Sequence, residues 1–369
     1  MKKSFVLLFA LALTALSSCG GGDKPAEEVH TVTDFANREV VVKRNVEKVC
    51  ISFNIEEYLA VGGEGALSKV VGWSHRYWVN RREDALSAYT AAYPDLLKID
   101  DIGYNDSISV EKIISLRPDV VLMSKSVNYS YMEGKLPLLA SAGIPVVFFD
   151  YHVDTKETIR RSNLILGEVL NQKQRAMAIS DYYDGKVTPI FDAVKAIDEK
   201  DRPKVYMEFS KGKDQYGNTW SKKMWGSLIG QCGGKNIAYD ISDANSVDLA
   251  KEAILANNPD LIVFTGALQK GLTGNVVLGY GQDEHRAIEA LETYLERPEW
   301  RELTAVKNRN LAAVYHDLSR HIFDFAGVEF LAKQIHPALF RELDPMKDLA
   351  EFFGRYMPVA AEGCFMATL

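Results

Sequence analysis

Val110-Glu111-Lys112-Ile113-Ile114-Ser115-Leu116-Arg117-Pro118-Asp119-Val120-Val121-Leu122-Met123 is echoed 141 residues later by Lys251-Glu252-Ala253-Ile254-Leu255-Ala256-Asn257-Asn258-Pro259-Asp260-Leu261-Ile262-Val263-Phe264. In each copy a short amphipathic helix stops at Pro-Asp, because proline disfavours helical geometry in the residue before it. The run that follows is apolar at every position, the pattern of a strand buried on both faces of a parallel sheet. One such unit in each half implies two similar α/β lobes. Two facing lobes enclose a cleft.

Working outward, the rhythm of the unit extends over most of the chain. β-rich apolar runs occupy 46–52, 69–73, 119–124 and 145–149 in the first half, with helical segments at 55–61 and 110–116. The second half has runs at 203–209, 260–265 and 311–316, with helices at 222–230 and 248–257. This alternation gives the fold class as α/β: two Rossmann-like, doubly wound lobes with mainly parallel sheets. The lobes are expected at 30–171 and 198–345, followed by a C-terminal helix and tail at 346–369.

The segment between them, 172–197, carries Ala176, Ile179, Tyr183, Val187, Ile190, Val194 and Ile197 on one helical face. Gly185 and Pro189 interrupt the pattern, and an interior proline costs about 3 kcal/mol or kinks the helix. The expectation is one long, bent helix joining the lobes, with a helix–turn–helix as the alternative. A packed strut of that kind limits lobe motion to a small closure.

The start of the chain has a different composition. Met1-Lys2-Lys3, an apolar stretch from Phe5 to Leu13, and Leu16-Ser17-Ser18-Cys19 read as a secretory signal over 1–18. The ending resembles the bacterial lipobox, which implies lipidation of Cys19. The glycine-rich run from Gly20 to Glu28 suits a flexible tether, assigned to 19–29. Acyl chains would then hold the folded part at a membrane surface of the cell envelope, on its periplasmic side.

Composition excludes several classes. A 47% hydrophobic and 25% charged chain is globular, and its net charge of −7 comes with no basic stripe for nucleic acid. Beyond Cys19 only Cys50, Cys232 and Cys364 remain, with no C-x-x-C pair, so neither a zinc nor a redox motif is present. Cys50 and Cys232 read as core residues, and a disulfide between two of the three stays open. No nucleophile elbow or P-loop occurs, so an enzyme is not expected.

The chain resembles the solute-binding proteins of ABC importers for iron chelates and cobalamin, whose lobes are joined by one helix (the helical-backbone, class III type). The likeness is carried by Thr33-Asp34-Phe35-Ala36-Asn37-Arg38-Glu39-Val40, with Asn37 in place of a usual glycine. Glu56-Glu57-Tyr58-Leu59-Ala60-Val61-Gly62, Asp101-Ile102-Gly103, both Pro-Asp units and Gly233-Gly234-Lys235-Asn236 add to it. Pro298-Glu299-Trp300, Ala305-Val306-Lys307-Asn308 and Leu331-Ala332-Lys333 complete the series. The resemblance implies capture of a siderophore, haem or cobalamin-type ligand by a monomer with no resident cofactor, for delivery to the importer's transmembrane subunits. Leu343-Asp344-Pro345 is shared with a branch containing molybdate and tungstate binders, which keeps an oxyanion open. A non-transport envelope receptor or scaffold is a further alternative. The resemblance also implies permease docking through Glu56, while 225–231 carries no carboxylate where the second lobe usually has one.

Candidate ligand contacts follow from a physical rule, since open parallel sheets bind beyond the carboxyl ends of their strands. Those ends carry His75, Arg76, Tyr77 and Trp78, then Tyr104, Tyr129 and His152 in the first half. In the second half they carry Lys211, Lys213, Tyr216 and Trp220, then Arg320 and His321. Aromatic faces give contact area at low entropy cost, and arginine forks pair with carboxylates. No histidine pair has helical metal-site spacing, so no protein-held metal is assigned.

Overall fold

A computed structural model describes residues 28–369, except 154, 217 and 245, so the signal, Cys19 and most of the tether lie outside the described residues. Both copies of the repeat fold as the pattern requires. Helix Val110–Leu116 leads into strand Val120–Ser124, and helix Lys251–Asn257 into strand Leu261–Gly266. Each helix ends on a left-handed residue, Arg117 at φ 49° and Asn258 at φ 46°. The aspartate after the turn then reaches the start of the neighbouring strand. Asp119 Oδ2 accepts from the backbone N–H of Glu47 and Lys48 at 2.9 Å, and Asp260 Oδ2 from that of Lys204 at 2.8 Å. Pro-Asp thus encodes the joint between two strands as well as a helix stop.

The first sheet runs Asp100–Asp101, Val70–Trp73, Val49–Ile51, Val120–Ser124, Val146–Phe149, all parallel. The second runs Lys235–Asn236, Lys204–Phe209, Leu261–Gly266, Leu311–Tyr315, also parallel, repeating four strands of the first in order. Its far edge is closed by the antiparallel strand Met366–Thr368. The last residues, read from the sequence as a helix and tail, are therefore helix Pro345–Tyr356 and then part of the second lobe's sheet. Ahead of the first lobe, strands Val29–Thr33 and Glu39–Lys43 form a hairpin. Asn37 takes φ 59° at its turn, a conformation asparagine tolerates where most residues do not.

Lys173–Val194 is one continuous helix of 22 residues with Pro189 inside it, so the helix–turn–helix alternative does not form. Its buried face includes Ala176, Ile179, Tyr183, Val187, Ile190 and Val194. At ~1.5 Å per residue it is roughly 33 Å long. It packs on Lys156–Val169 of the first lobe and Phe325–Ile335 of the second, and Tyr182 meets the rings of Phe325 and Phe352 at 5.5 Å. Among the described residues no helix is long and apolar enough to cross a membrane. Cys50, Cys232 and Cys364 are all free and buried, so the disulfide alternative fails. Burial pushes the Cys50 thiol up to about 12.

Candidate functional site

The strand ends of both lobes open on one cleft made of two adjoining cavities, about 800 and about 860 Å³, that share Tyr104, Asn105, Met224 and Arg320. The first cavity sets Arg76, Tyr77 and Arg81 of one lobe against Lys211, Trp220 and His316 of the other. The second sets Ser126 and His152 against Lys222 and Lys223. Tyr77 stacks on Tyr104 at 4.6 Å and leans on Phe53 at 4.9 Å. Burial raises both phenols, which keeps them neutral hydrogen-bond donors at ordinary pH. Trp220 leans on His316 at 5.6 Å from the opposite wall.

Arg320 lies where the two cavities meet, at φ 67°. A non-glycine residue held there costs about 1–3 kcal/mol, and such strain clusters at ligand clamps. Its side chain is 13% exposed, with Asp317 3.7 Å away as a loose ion pair, and its Nε has no acceptor among the described residues. A half-buried guanidinium with an unpartnered Nε fits a carboxylate or a similar oxygen anion. Asn105 and Met224, also at the junction, have φ 52° and φ 51°.

Beneath this floor the lobes meet through buried charge. Arg82 pairs with Glu56 of its own lobe and, at 3.0 Å, with Asp317 of the other, all three at most 4% exposed. Burial alone would raise the Asp317 carboxyl, but Arg82 and the cations around it hold it down at about 2. Glu57 accepts from His321 Nδ1 at 2.6 Å and from the Ile322 backbone N–H, again across the lobes. Tyr280 N–H donates to Asp84 Oδ2 at 3.2 Å, and burial pushes that carboxyl up to about 6.

Arg76, Tyr77, Tyr104, Trp220 and Arg320 therefore come together as the strand-end rule expects. The other candidates do not. His75–Arg81 is a helix, so the side chains of the His75-Arg76-Tyr77-Trp78 patch fan out around it. Trp78 is 1% exposed, packed between Trp73 and Tyr89, and belongs to the core. His75 sits half-buried on Trp73, off the cleft lining. Tyr129 turns away onto Phe148 and Glu133. Tyr216 packs on Trp300 and under Arg297, with its hydroxyl on Glu299. His321 is spent on Glu57 at the lobe interface. Glu56 is buried under Arg82 and offers no docking surface, which corrects that assignment. Sequence reasoning missed Phe53, Arg81 and Met224. For Arg81 the missing signal was the helix itself, which puts it one turn beyond Tyr77.

The family model described as periplasmic binding protein matches residues 49–317. Over 359 residues the chain is 27% identical to an uncharacterized ABC transporter substrate-binding lipoprotein of Bacillus subtilis, covering 93% of this chain and 100% of that one. It is 30% identical over 162 residues to a cobalamin-binding protein of Halobacterium salinarum, 44% of this chain and 41% of the relative. Among solved structures, the TroA-like periplasmic binding protein FepB from Veillonella parvula superposes with a TM-score of 0.86 at 28% identity, covering 92% and 99% of the two chains. The periplasmic vitamin B12 binding protein BtuF of Vibrio cholerae shares the fold, with a TM-score of 0.56 at 17% identity over 81% and 99%.

Proposed function

From the premise that the chain belongs to the periplasmic binding protein family, we propose that it captures a metal chelate bearing anionic oxygen groups between its lobes and hands it to an ABC importer. The ligand class is an iron chelate (siderophore or haem) or a cobalamin-type corrinoid. The observation that carries this reading is Arg320, a strained, half-buried guanidinium with an unpartnered Nε at the junction of two large cavities. Each cavity is of a size that drug-sized ligands fill. A four-oxygen anion such as molybdate would leave most of that space to water, so the oxyanion alternative is the weaker fit. Aromatic faces at Tyr77, Tyr104 and Trp220 suit a ligand with flat unsaturated parts.

Two similar lobes on a packed strut favour small closure, with release triggered by the importer. Turnover has no support from the site, where binding groups outnumber any acid–base pair. The names of the Bacillus and Halobacterium relatives support transport and a corrinoid, respectively. Lipid anchoring through Cys19 belongs to the same reading and is checked by the mass of the mature protein.

The test is a titration of the purified protein with a ferric tris-catecholate, haemin, cyanocobalamin and molybdate, followed by tryptophan fluorescence. Trp220 in the cleft wall reports occupancy. Saturable quenching by one chelate class, weakened at least about tenfold by Arg320→Met as expected for a charge-assisted contact, supports the assignment. A flat response to all four would overturn it.

A further inference from the structure

A further cavity, about 760 Å³, lies away from the cleft. Val70 in its wall begins the strand Val70–Trp73, and Leu96 and Ile99 stand just ahead of the strand Asp100–Asp101. The cavity is therefore at the amino ends of the parallel strands, opposite the ends that open on the cleft. Apolar side chains from separate parts of the chain build it. Leu59 comes from the end of helix Ile55–Gly62 and Leu67 from the turn after it. Tyr93 and Leu96 come from the segment before the edge strand, and Met357 from the close of helix Pro345–Tyr356. Leu67, Tyr93 and Met357 stay half-buried, and Leu97, next to Leu96 in the chain, is 43% exposed. An apolar hollow left open to solvent marks a place where something binds.

The charges around the hollow decide what kind of occupant fits. Arg175 donates from Nε to Ala60 O at 2.6 Å and from Nη2 to Tyr356 O at 3.0 Å. Arg355 pairs with Glu351 at 2.5 Å. Both cations of the lining thus have close partners. Its acids are Glu64, which is exposed, and Asp95, which pairs with Lys98 at 2.7 Å. A free fatty acid or an anionic lipid would bring a charge that neither arginine is placed to meet. A neutral hydrocarbon chain needs no such partner and is stabilised by every methylene it buries.

A smaller cavity, about 380 Å³, shares Glu64, Gly65 and Ser68 with the first. Gly65 has φ 79°, and a β-carbon added there would meet no atom within 4 Å, so the surface between the two is unobstructed at that point. The smaller cavity is also lined by Arg44, Asn45 and Val46. Arg44 N–H donates to the carbonyl of Glu28, the first described residue, at 2.8 Å. The folded part of the chain thus begins beside a trough that leads to the hollow. Cys19 stands nine residues before Glu28, a reach of up to roughly 30 Å. We propose that the hollow is the seat of an acyl chain carried by Cys19 of the same molecule, held there when that chain is out of the bilayer. This rests on the lipid-anchor part of the reading above and adds a stowed form of the protein to the membrane-inserted one. The hold of one acyl chain on a membrane is marginal and reversible, so a seat on the protein competes with the bilayer for it.

The test starts with the mature full chain, its Cys19 lipid established by mass. Freed of detergent, the lipidated protein is expected to sediment as a monomer. Met357→Asp, which puts a charge in the wall of the hollow, should aggregate or bind phosphatidylcholine vesicles at least about tenfold more, equivalent to about two buried methylenes. The neutral dye phenylnaphthylamine probes the hollow directly. It should bind Cys19→Ser protein, lose that binding when Met357→Asp is added, and bind the lipidated wild type at least about tenfold less. Circular dichroism shows that each variant is folded, and Leu67→Gln gives a second, milder change in the same wall. Equal dye binding with and without the lipid, or vesicle binding unchanged by both wall variants, would overturn the seat and leave the anchor standing. Dye displaced from Cys19→Ser protein by phosphatidylcholine, but not by the protein's own lipid in wild type, would give the hollow to a membrane lipid and overturn the seat as well. A mass showing unmodified Cys19 would remove the anchor and the seat together, and chelate capture would stand unaffected.

Discussion

Arg82 and Arg320 flank the same carboxylate, Asp317, and their difference explains how the molecule divides its labour. Arg82, in the interface beneath the cleft, is 2% exposed and held by two acids, one from each lobe. Arg320, in the floor above, has only the loose contact to Asp317 at 3.7 Å. The lower region spends its charges on joining the lobes, and the upper region leaves Arg320 on the cleft lining with one loose acid partner. A buried ion is costly unless it is paired, so the difference that matters is two close acid partners for Arg82 against one loose partner for Arg320.

The sharpest way to break the comparison is to remove each guanidinium in turn. Arg82→Met strands Glu56 and Asp317 in the interface and should cost about 3–5 kcal/mol in urea unfolding. Arg320→Met should change stability by less than about 1 kcal/mol, a surface-like effect, while lowering chelate affinity. Equal stability losses would erase the distinction between the regions. Trp78 and Trp220 offer a second contrast. Trp78→Ala opens the core and should cost about 3 kcal/mol or more without altering the ligand affinity of the folded fraction. Trp220→Ala should instead remove most ligand quenching, and the converse result would return Trp78 to the site.

A smaller effect tests the interface by pH. Asp84 faces Tyr280 and Gly279 of the other lobe, with Arg82, Asp317 and Tyr315 around it. Its folded carboxyl holds a proton up to about 6, so its contribution is full below the unfolded value and lost as pH rises through about 6. The difference in unfolding free energy between wild type and Asp84→Asn should change by about 2–3 kcal/mol between pH 4 and 7. Taking the difference removes the opposite trend of His316, which destabilises as pH falls toward about 4. A pH-independent difference would place the titration elsewhere. Smallest of all, Tyr104→Ala should weaken ligand binding two- to tenfold, roughly 0.5–1.5 kcal/mol. Tyr129→Ala and Tyr216→Ala should stay within about twofold, since neither ring lines the cleft. Calorimetry on the three variants checks this ordering.

How far the site could be read in advance depended on how local each signal was. Strand ends are a local property, and of the residues chosen there Arg76, Tyr77, Tyr104, Trp220 and Arg320 line one cavity. The strand-end rule failed at Trp78 because the strand end was already a helix turn, and adjacent helical side chains point about 100° apart. It failed at Tyr129 for the same reason, on helix Lys125–Met132. Glu56 failed differently: its partners Tyr280 and Arg82 lie 224 and 26 residues away, and no pattern around position 56 announces them.

By itself the chain determined the duplicated helix–Pro-Asp–strand unit, the two parallel sheets and the buried face of the helix that joins them. These follow from apolar periodicity and from the backbone limits of proline, which act within a few residues. Only the tertiary structure decided which charges face each other across the lobes and which rings line the cleft. Burial and ion pairing are set by groups brought together from distant parts of the chain, and spacing along one strand or helix carries no record of them.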